Sequence, residues 1–233
     1  MKEELSFEQV HLWTVHLDPD REELPISRHP FSHHELSRAS SYKFEQLQTR
    51  FLTGRLRLRQ ILSLYTGCPI EQLEFTLGHG GKPLLKKYPK IRFSLSRSDG
   101  VQMVAVAYDR EVGVDLEKLR NDDFGGVIAR FFSPAEKASL QTVTGREMSE
   151  VFFRIWTRKE AYLKAMGVGL SYSLPAFTMS GRIGDTDALV HDDGSNCALT
   201  SWRVAEISAP AGFNAALAAA GKEWECHYCQ FSL

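Results

Sequence analysis

The sequence predicts an α+β protein made of two halves of similar plan. Three observations carry this. A long breaker-poor helical stretch runs from about Ser37 to Leu64, strand-like segments crowd residues 74–119, and a second long helix at 148–167 is followed only by strand-like segments. The change of pattern near residue 110 divides the chain into 1–110 and 111–233.

Taken in order, VHLWTVHLD (10–18) alternates and is rich in β-branched and aromatic residues, which predicts a first strand. The stretch 37–64 carries Phe44, Leu47, Phe51, Leu52, Leu56, Leu58, Ile61 and Leu62 at mostly helical spacing, with Arg50, Arg55, Arg57 and Arg59 between them and Gly67 as its stop. EFTLGHGGKPLL (74–85) turns from a short strand into a glycine-rich loop. Strands at 90–98, 101–109 and 111–119 follow, with turns at Asp99–Gly100 and Arg110 that predict a meander. A helix is expected near 123–131, continued by FFSPAEKASLQ, where Ser133 is a good N-cap, Pro134 a good first residue and Glu136 the third-position acid. The helix at 148–167 stops at Gly167 and Gly169, and strands are expected around 175–181, 186–191, 197–207, 212–219 and 225–232.

Composition narrows the function classes. With 28 basic and 29 acidic side chains the formal charge is −1, so no overall field favours nucleic acid or a membrane surface, and any basic site is local. The first residues lack the order of a secretory signal, and no apolar run reaches the roughly 18 residues of a membrane span. Cys68, Cys197, Cys226 and Cys229 are too few and scattered for a disulfide framework, which predicts a cytoplasmic protein. Cys226 and Cys229 form a C-x-x-C inside an expected strand, with no second ligand pair at zinc spacing.

The chemistry concentrates in two places. In GVDLE (113–117), residues two apart on a strand share a face, so Asp115 and Glu117 project together while Val112, Val114 and Leu116 fill the other side. This is either the solvent face of an edge strand or a carboxylate pair built around a cation. In WTRKEAYLKAMGVGL (156–170), Trp156, Glu160 and Lys164 stack at intervals of four, which is either an ordinary i,i+4 ion pair or a face turned into a cleft. Together Asp115, Glu117 and Glu160 offer three hard oxygen ligands that suit Mg²⁺, and Lys164 would then meet a diphosphate oxygen. HGGKP (79–83) with Lys82, SRS (96–98) and Arg50 are further groups suited to phosphate.

The order GKP, FSLSRS, GVDLE, FFSPAE and FFRIWTRKEAYLKAMGVGL resembles the Sfp-type 4′-phosphopantetheinyl transferases, closely over residues 80–172. The resemblance implies a pseudo-twofold pair of α+β halves with coenzyme A in the cleft between them. It implies transfer of the phosphopantetheine arm to a serine of an apo acyl, peptidyl or aryl carrier protein, with adenosine 3′,5′-bisphosphate released. Asp115, Glu117 and Glu160 would hold Mg²⁺, and Lys164 would contact the diphosphate. Lys82, Ser96 and Arg97 would line the phosphate end, with Arg50 and Arg38 near the 3′-phosphate. Arg97 stands where the family usually has the histidine of S-H-S; arginine keeps a permanent charge and binds phosphate bidentately.

Within this reading Glu160 serves as general base, directly or through water, Lys164 stabilises the charge of the leaving group, and Trp156 seats the helix. KPLLKKYPK (82–90) and Arg130–Phe132 are the surfaces offered to an acidic carrier protein. Two fused halves make a cleft within one chain, which permits a monomer. The competing readings are a Mg²⁺-dependent diphosphate hydrolase acting on coenzyme A, a non-catalytic coenzyme A-binding module and an interaction scaffold.

Overall fold

The computed structural model describes residues 5–18, 30–193 and 201–230. Residues 197–200 of the expected strand 197–207, with Cys197, and 231–232 of the expected strand 225–232 lie outside the described residues. The chain begins with β1 (Gln9–His16), α1 (His33–Ser40) and α2 (Glu45–Thr66), then the hairpin β2 (Phe75–Leu77) and β3 (Pro83–Leu85). Next come β4 (Ile91–Ser98), β5 (Val101–Tyr108), β6 (Val112–Lys118), α3 (Gly125–Phe131), α4 (Pro134–Leu140) and α5 (Gly145–Met166). The described chain closes with β7 (Phe177–Met179), β8 (Leu189–Asp192), β9 (Trp202–Glu206), β10 (Phe213–Ala220) and β11 (Glu225–Cys229).

Two larger sheets organise the molecule, one ordered β11-β1-β5-β4 and the other β6-β10-β9. Strand alternation sorts their side chains. Val10, Leu12, Met103 and Ala105 from the first sheet meet Val112, Val114, Leu116 and Leu217 from the second in a shared central core. On the outer face of the first sheet, Trp13, Phe93, Val104 and Val106 pack with Leu58, Ile61, Leu62 and Tyr65 of α2. On the outer face of the second, Ala216 and Ala218 lie in a core with Phe153, Ala161, Tyr162 and Leu163 of α5. The two 22-residue helices therefore cover opposite sides of a sheet pair, and each ends on a left-handed glycine, Gly67 and Gly167.

Several sequence expectations are corrected. The single helix over 37–64 is two, because the Ser40 hydroxyl binds the Leu36 and Ser37 carbonyls, Ser41 binds that of Arg38, and Phe44 is extended. The meander stops after one hairpin: Asp99 and Gly100 adopt φ of 39° and 78°, as a tight turn between β4 and β5 requires, but β6 leaves for the second sheet and pairs with β10. Arg110 marks that departure, its guanidinium donating to the carbonyls of Phe7, Ala220 and Glu223. The expected continuation of the 123–131 helix is a separate helix, α4, whose capping box uses Ser133 and Glu136. The final strand β11 runs parallel to β1 in the first sheet, so residues beyond 110 complete the sheet of the first half. Cys226 and Cys229 lie three apart on β11, one against the central core and the other against the α2 side.

Candidate active site

β6 builds the floor of the site. Its odd-numbered residues face α5, and Gly113 makes that approach possible: a Cβ there would stand 2.9 Å from the Cα of Ala165 and closer still to the Ala161 carbonyl and the Ala165 amide. With the helix backbone seated directly on the strand, Lys164 reaches Asp115. Its Nζ donates to Asp115 Oδ1 at 2.7 Å, to Ser96 Oγ at 2.9 Å and to the Val114 carbonyl at 3.2 Å. Lys164 thus pairs across to the strand and not with Glu160 along its own helix.

Alternate serines of β4 face β6 and hold its acids in place. Ser94 Oγ accepts from the Val114 amide, Ser96 Oγ donates to Asp115 Oδ1 at 2.8 Å, and Ser98 Oγ donates to Glu117 Oε2 at 3.3 Å while accepting from the Lys118 amide. Asp115 is buried, and its second oxygen, Oδ2, is enclosed without a hydrogen-bond partner. Burial raises the Glu160 carboxyl above its ordinary range, with Asp115 and then Glu117 adding to it against an opposing Lys164. Glu117 is raised by burial and by Asp115. Three carboxylates therefore share a poorly solvated place with one ammonium. As they stand, no three acidic, histidine or cysteine side chains among the described residues form a ready metal cage.

Above this floor is a cleft of about 400 Å³ between the two halves, bordered by Arg55, Phe93, Leu95, Glu160, Leu163 and Lys164. Its far wall is the glycine loop. Gly80 has φ of 61° and lies against the Gly167–Gly169 backbone, while His79 Nδ1 is 3.1 Å from the Gly167 carbonyl oxygen. Lys82 Nζ donates to Glu111 Oε2 at 2.8 Å and to the Val112 and Ala165 carbonyls, both at 3.0 Å. All three ammonium protons are engaged, so Lys82, on the edge of the cleft, also fastens the two halves to each other. Gly80→Ala is expected to fail here: the Cβ needs both a left-handed backbone and space held by main chain, at roughly 2–4 kcal/mol. Thermal unfolding of the variant should show Tm lowered by about 5–15 °C.

The basic candidates separate in space. Arg50 makes a two-pronged pair with Asp18, at 2.7 and 2.6 Å, and also faces Asp99 at 3.6 Å, so it is committed at the β4–β5 turn. Arg38 and Arg97 instead converge on one ring, their guanidinium carbons lying 6.0 and 5.3 Å from the centre of Phe51. Arg55, which the sequence reading passed over, joins them at 5.5 Å and is balanced in part by Glu35 at 3.4 Å. Arg97 is open to solvent along part of its length, yet desolvation and then Arg55 pull its pKa below the ordinary value. Arg97 has no carboxylate partner among the described residues, and with Arg38 and Arg55 it forms a cationic rim around Phe51.

Two more features of α5 escaped sequence reasoning. Arg158 and Lys159, within the run that carries Glu160, are fully buried. Lys159 Nζ donates to Glu136 Oε1 and the Phe177 carbonyl, each at 2.7 Å, and Arg158 donates to the Ser180 and Arg182 carbonyls and to Glu206. Trp156 stacks with Phe132 and Phe152 and anchors the helix.

Comparison with known proteins decides the family. The model of the 4′-phosphopantetheinyl transferase superfamily matches residues 111–220. The 4′-phosphopantetheinyl transferase HetI of Nostoc sp. is 38% identical over 171 residues, covering 72% of each chain. The chain belongs to the 4′-phosphopantetheinyl transferase superfamily. Two other relatives of this transferase are psf-1 of Bacillus pumilus, 34% identical over 60% of each chain, and Sfp of Bacillus subtilis, 27% identical over 66% of this chain and 69% of that one. The matched stretch of the transferase holds β6 and α5, hence Asp115, Glu117, Glu160 and Lys164. No helix among the described residues of the transferase is long and apolar enough to cross a membrane.

Proposed function

We propose that this transferase moves the 4′-phosphopantetheine arm of coenzyme A onto a serine hydroxyl of an apo carrier protein of the acyl, peptidyl or aryl type. The observation that carries the proposal is that Glu160 and Lys164 border one cleft between two halves, with Lys164 paired to the buried Asp115 beneath it. The serine Oγ forms a bond to the phosphorus bearing the pantetheine arm, the bond from that phosphorus to the bridging oxygen breaks, and adenosine 3′,5′-bisphosphate leaves with the electron pair. The carboxylate of Glu160, at the cleft wall, accepts the serine proton directly or through one water. The Lys164 ammonium supplies positive charge beside the diphosphate as negative charge gathers on the leaving group.

The donor set fits Mg²⁺. Asp115, Glu117 and Glu160 are oxygen-only ligands, and Asp115 Oδ2 is a buried acceptor awaiting a partner. These three residues would hold the ion, which when bound would neutralise diphosphate charge as a Lewis acid. Arg38, Arg55 and Arg97 would receive the 3′-phosphate of coenzyme A in their shared rim, a task a permanent guanidinium performs without a histidine. Ser96 holds Asp115 and Lys164 in register. Arg50 braces the β4–β5 turn, and Lys82, which borders the cleft where it joins the halves, would turn its ammonium toward the phosphate end of coenzyme A. Because the cleft is made within one chain, we take the working unit to be a monomer, and four scattered cysteines suit the cytoplasm. Lys86, Lys87 and Lys90 keep exposed ammonium groups for an acidic carrier, although each faces a carboxylate; Phe132 of the Arg130–Phe132 surface is buried and offers nothing to a partner.

Mass spectrometry of apo carrier proteins incubated with the transferase, coenzyme A and Mg²⁺ tests this. A carrier heavier by one phosphopantetheine is the expected product. Cleavage of coenzyme A without any carrier would establish a hydrolase instead, and binding with neither product would establish a binding module. Asp115→Asn and Glu160→Gln should each lower transfer by ~10²–10⁴-fold while unfolding cooperatively near the parent's Tm. Parental activity in either variant rejects the site.

A further inference from the structure

The cation that Asp115 meets in this structure is Lys164. The ammonium lies 2.7 Å from Asp115 Oδ1, and Ser96 closes a three-membered network by accepting from Lys164 and donating to the same Oδ1. The Asp115 side chain is 5% exposed and that of Lys164 31%, so the carboxylate is reached past the lysine. Lys164 occupies Oδ1 and leaves the enclosed Oδ2 without a partner, so a divalent cation at Oδ2 would be crowded against the ammonium on the same buried carboxylate and repelled by it.

We infer that Lys164 is the resident counter-ion of Asp115 in the nucleotide-free protein and weakens metal binding at that carboxylate by repulsion until a diphosphate draws the ammonium away. The inference rests on Asp115 being a metal ligand, as proposed above. Three observations support an exchange over a fixed ion pair. Lys164 is the more exposed partner and sits in the last turn of α5, one turn from Gly167, where its long stem has room to swing. It borders the cleft in which the diphosphate would lie. Asp115 is held on β6 by its pairing with β10 and Ser96 on β4 by its pairing with β5, so the lysine is the part free to move. Metal and coenzyme A then enter together: each strengthens the other because both depend on the same ammonium leaving Asp115. The lysine also keeps two carboxylates and Asp115 from collecting stray divalent ions when no substrate is present.

The test is Mn²⁺ binding by electron paramagnetic resonance on the whole protein, with and without coenzyme A, corrected for the Mn²⁺–coenzyme A complex measured alone. Without coenzyme A, Lys164→Met is expected to bind Mn²⁺ roughly tenfold or more tightly than the parent, and Lys164→Met/Asp115→Asn to lose that gain. Equal Mn²⁺ affinity in Lys164→Met and the parent overturns the inference and leaves the transferase reading standing. In the parent itself, coenzyme A should raise Mn²⁺ affinity, and no change on its addition also overturns the exchange whether or not the variant folds. Should Asp115→Asn bind Mn²⁺ in the presence of coenzyme A as tightly as the parent, the metal assignment itself fails.

Discussion

Gly113→Ala is expected to be the most damaging single-methyl change in the protein. The new Cβ would press on the main chain of Ala161 and Ala165, which no rotamer change can move aside. Only a displacement of α5 relieves the clash. Over-packing against a rigid backbone costs roughly 3 kcal/mol or more, which in a chain of this length lowers Tm by about 10 °C. The functional loss should exceed what the stability change explains. Lys164 reaches Asp115 only because the helix lies on the strand at this distance, and a displacement near 1 Å is worth ~10²-fold in rate. Calorimetry beside carrier-transfer kinetics at a temperature where the variant is fully folded separates the two effects. A variant with parental Tm and parental transfer would show that the helix does not need its seat.

Lys159→Met is expected to cost about as much for a different reason. The pair it breaks is fully enclosed, with both side chains of Lys159 and Glu136 at 0% exposure. Removing one partner from such a pair leaves an uncompensated charge and typically costs ~3–5 kcal/mol. Glu136 would keep its bonds from the Ser133 and Met179 amides, so the charge retains donors but no counter-ion. Adding Glu136→Gln to Lys159→Met should restore part of the loss, because the amide needs no cation, while its NH2 group can no longer accept from one of the two backbone amides. Chemical denaturation of the two single variants and the double variant measures the coupling. Additive losses in that cycle would contradict a charge-based role.

What the sequence discloses and what it hides follow from the range of the forces involved. The long helices, most of the strands and the Ser133 capping box are local, set by periodicity and by side chains bonding their own neighbours. The crossing of β6 into a second sheet is not local, and Arg110, which holds that crossing from carbonyls more than a hundred residues away, looks in sequence like a turn residue. The acids and the lysine of the site were legible because strand parity and helix spacing put them on faces. Their pairing was not: four-residue spacing matches Glu160 with Lys164, and only the strand packed beneath the helix redirects the lysine to Asp115. The committed state of Lys82 and Arg50 was hidden because their carboxylates, Glu111 and Asp18, lie 29 and 32 positions away. Gly113 was the readable clue that went unused, since a glycine between two valines of a strand signals a close approach.

The parallel pairing of β11 with β1 bears on how the molecule is made. The edge of β1 receives its partner only when residue 225 and those after it have left the ribosome, long after β4 and β5 are available on the other side. The first half is therefore not a module that folds and waits. Its sheet stays one strand short through the synthesis of the whole second half, and closing it is among the most non-local steps the chain performs. The two halves that frame the cleft are thus finished together, so a nascent chain does not present a complete binding site ahead of a complete fold.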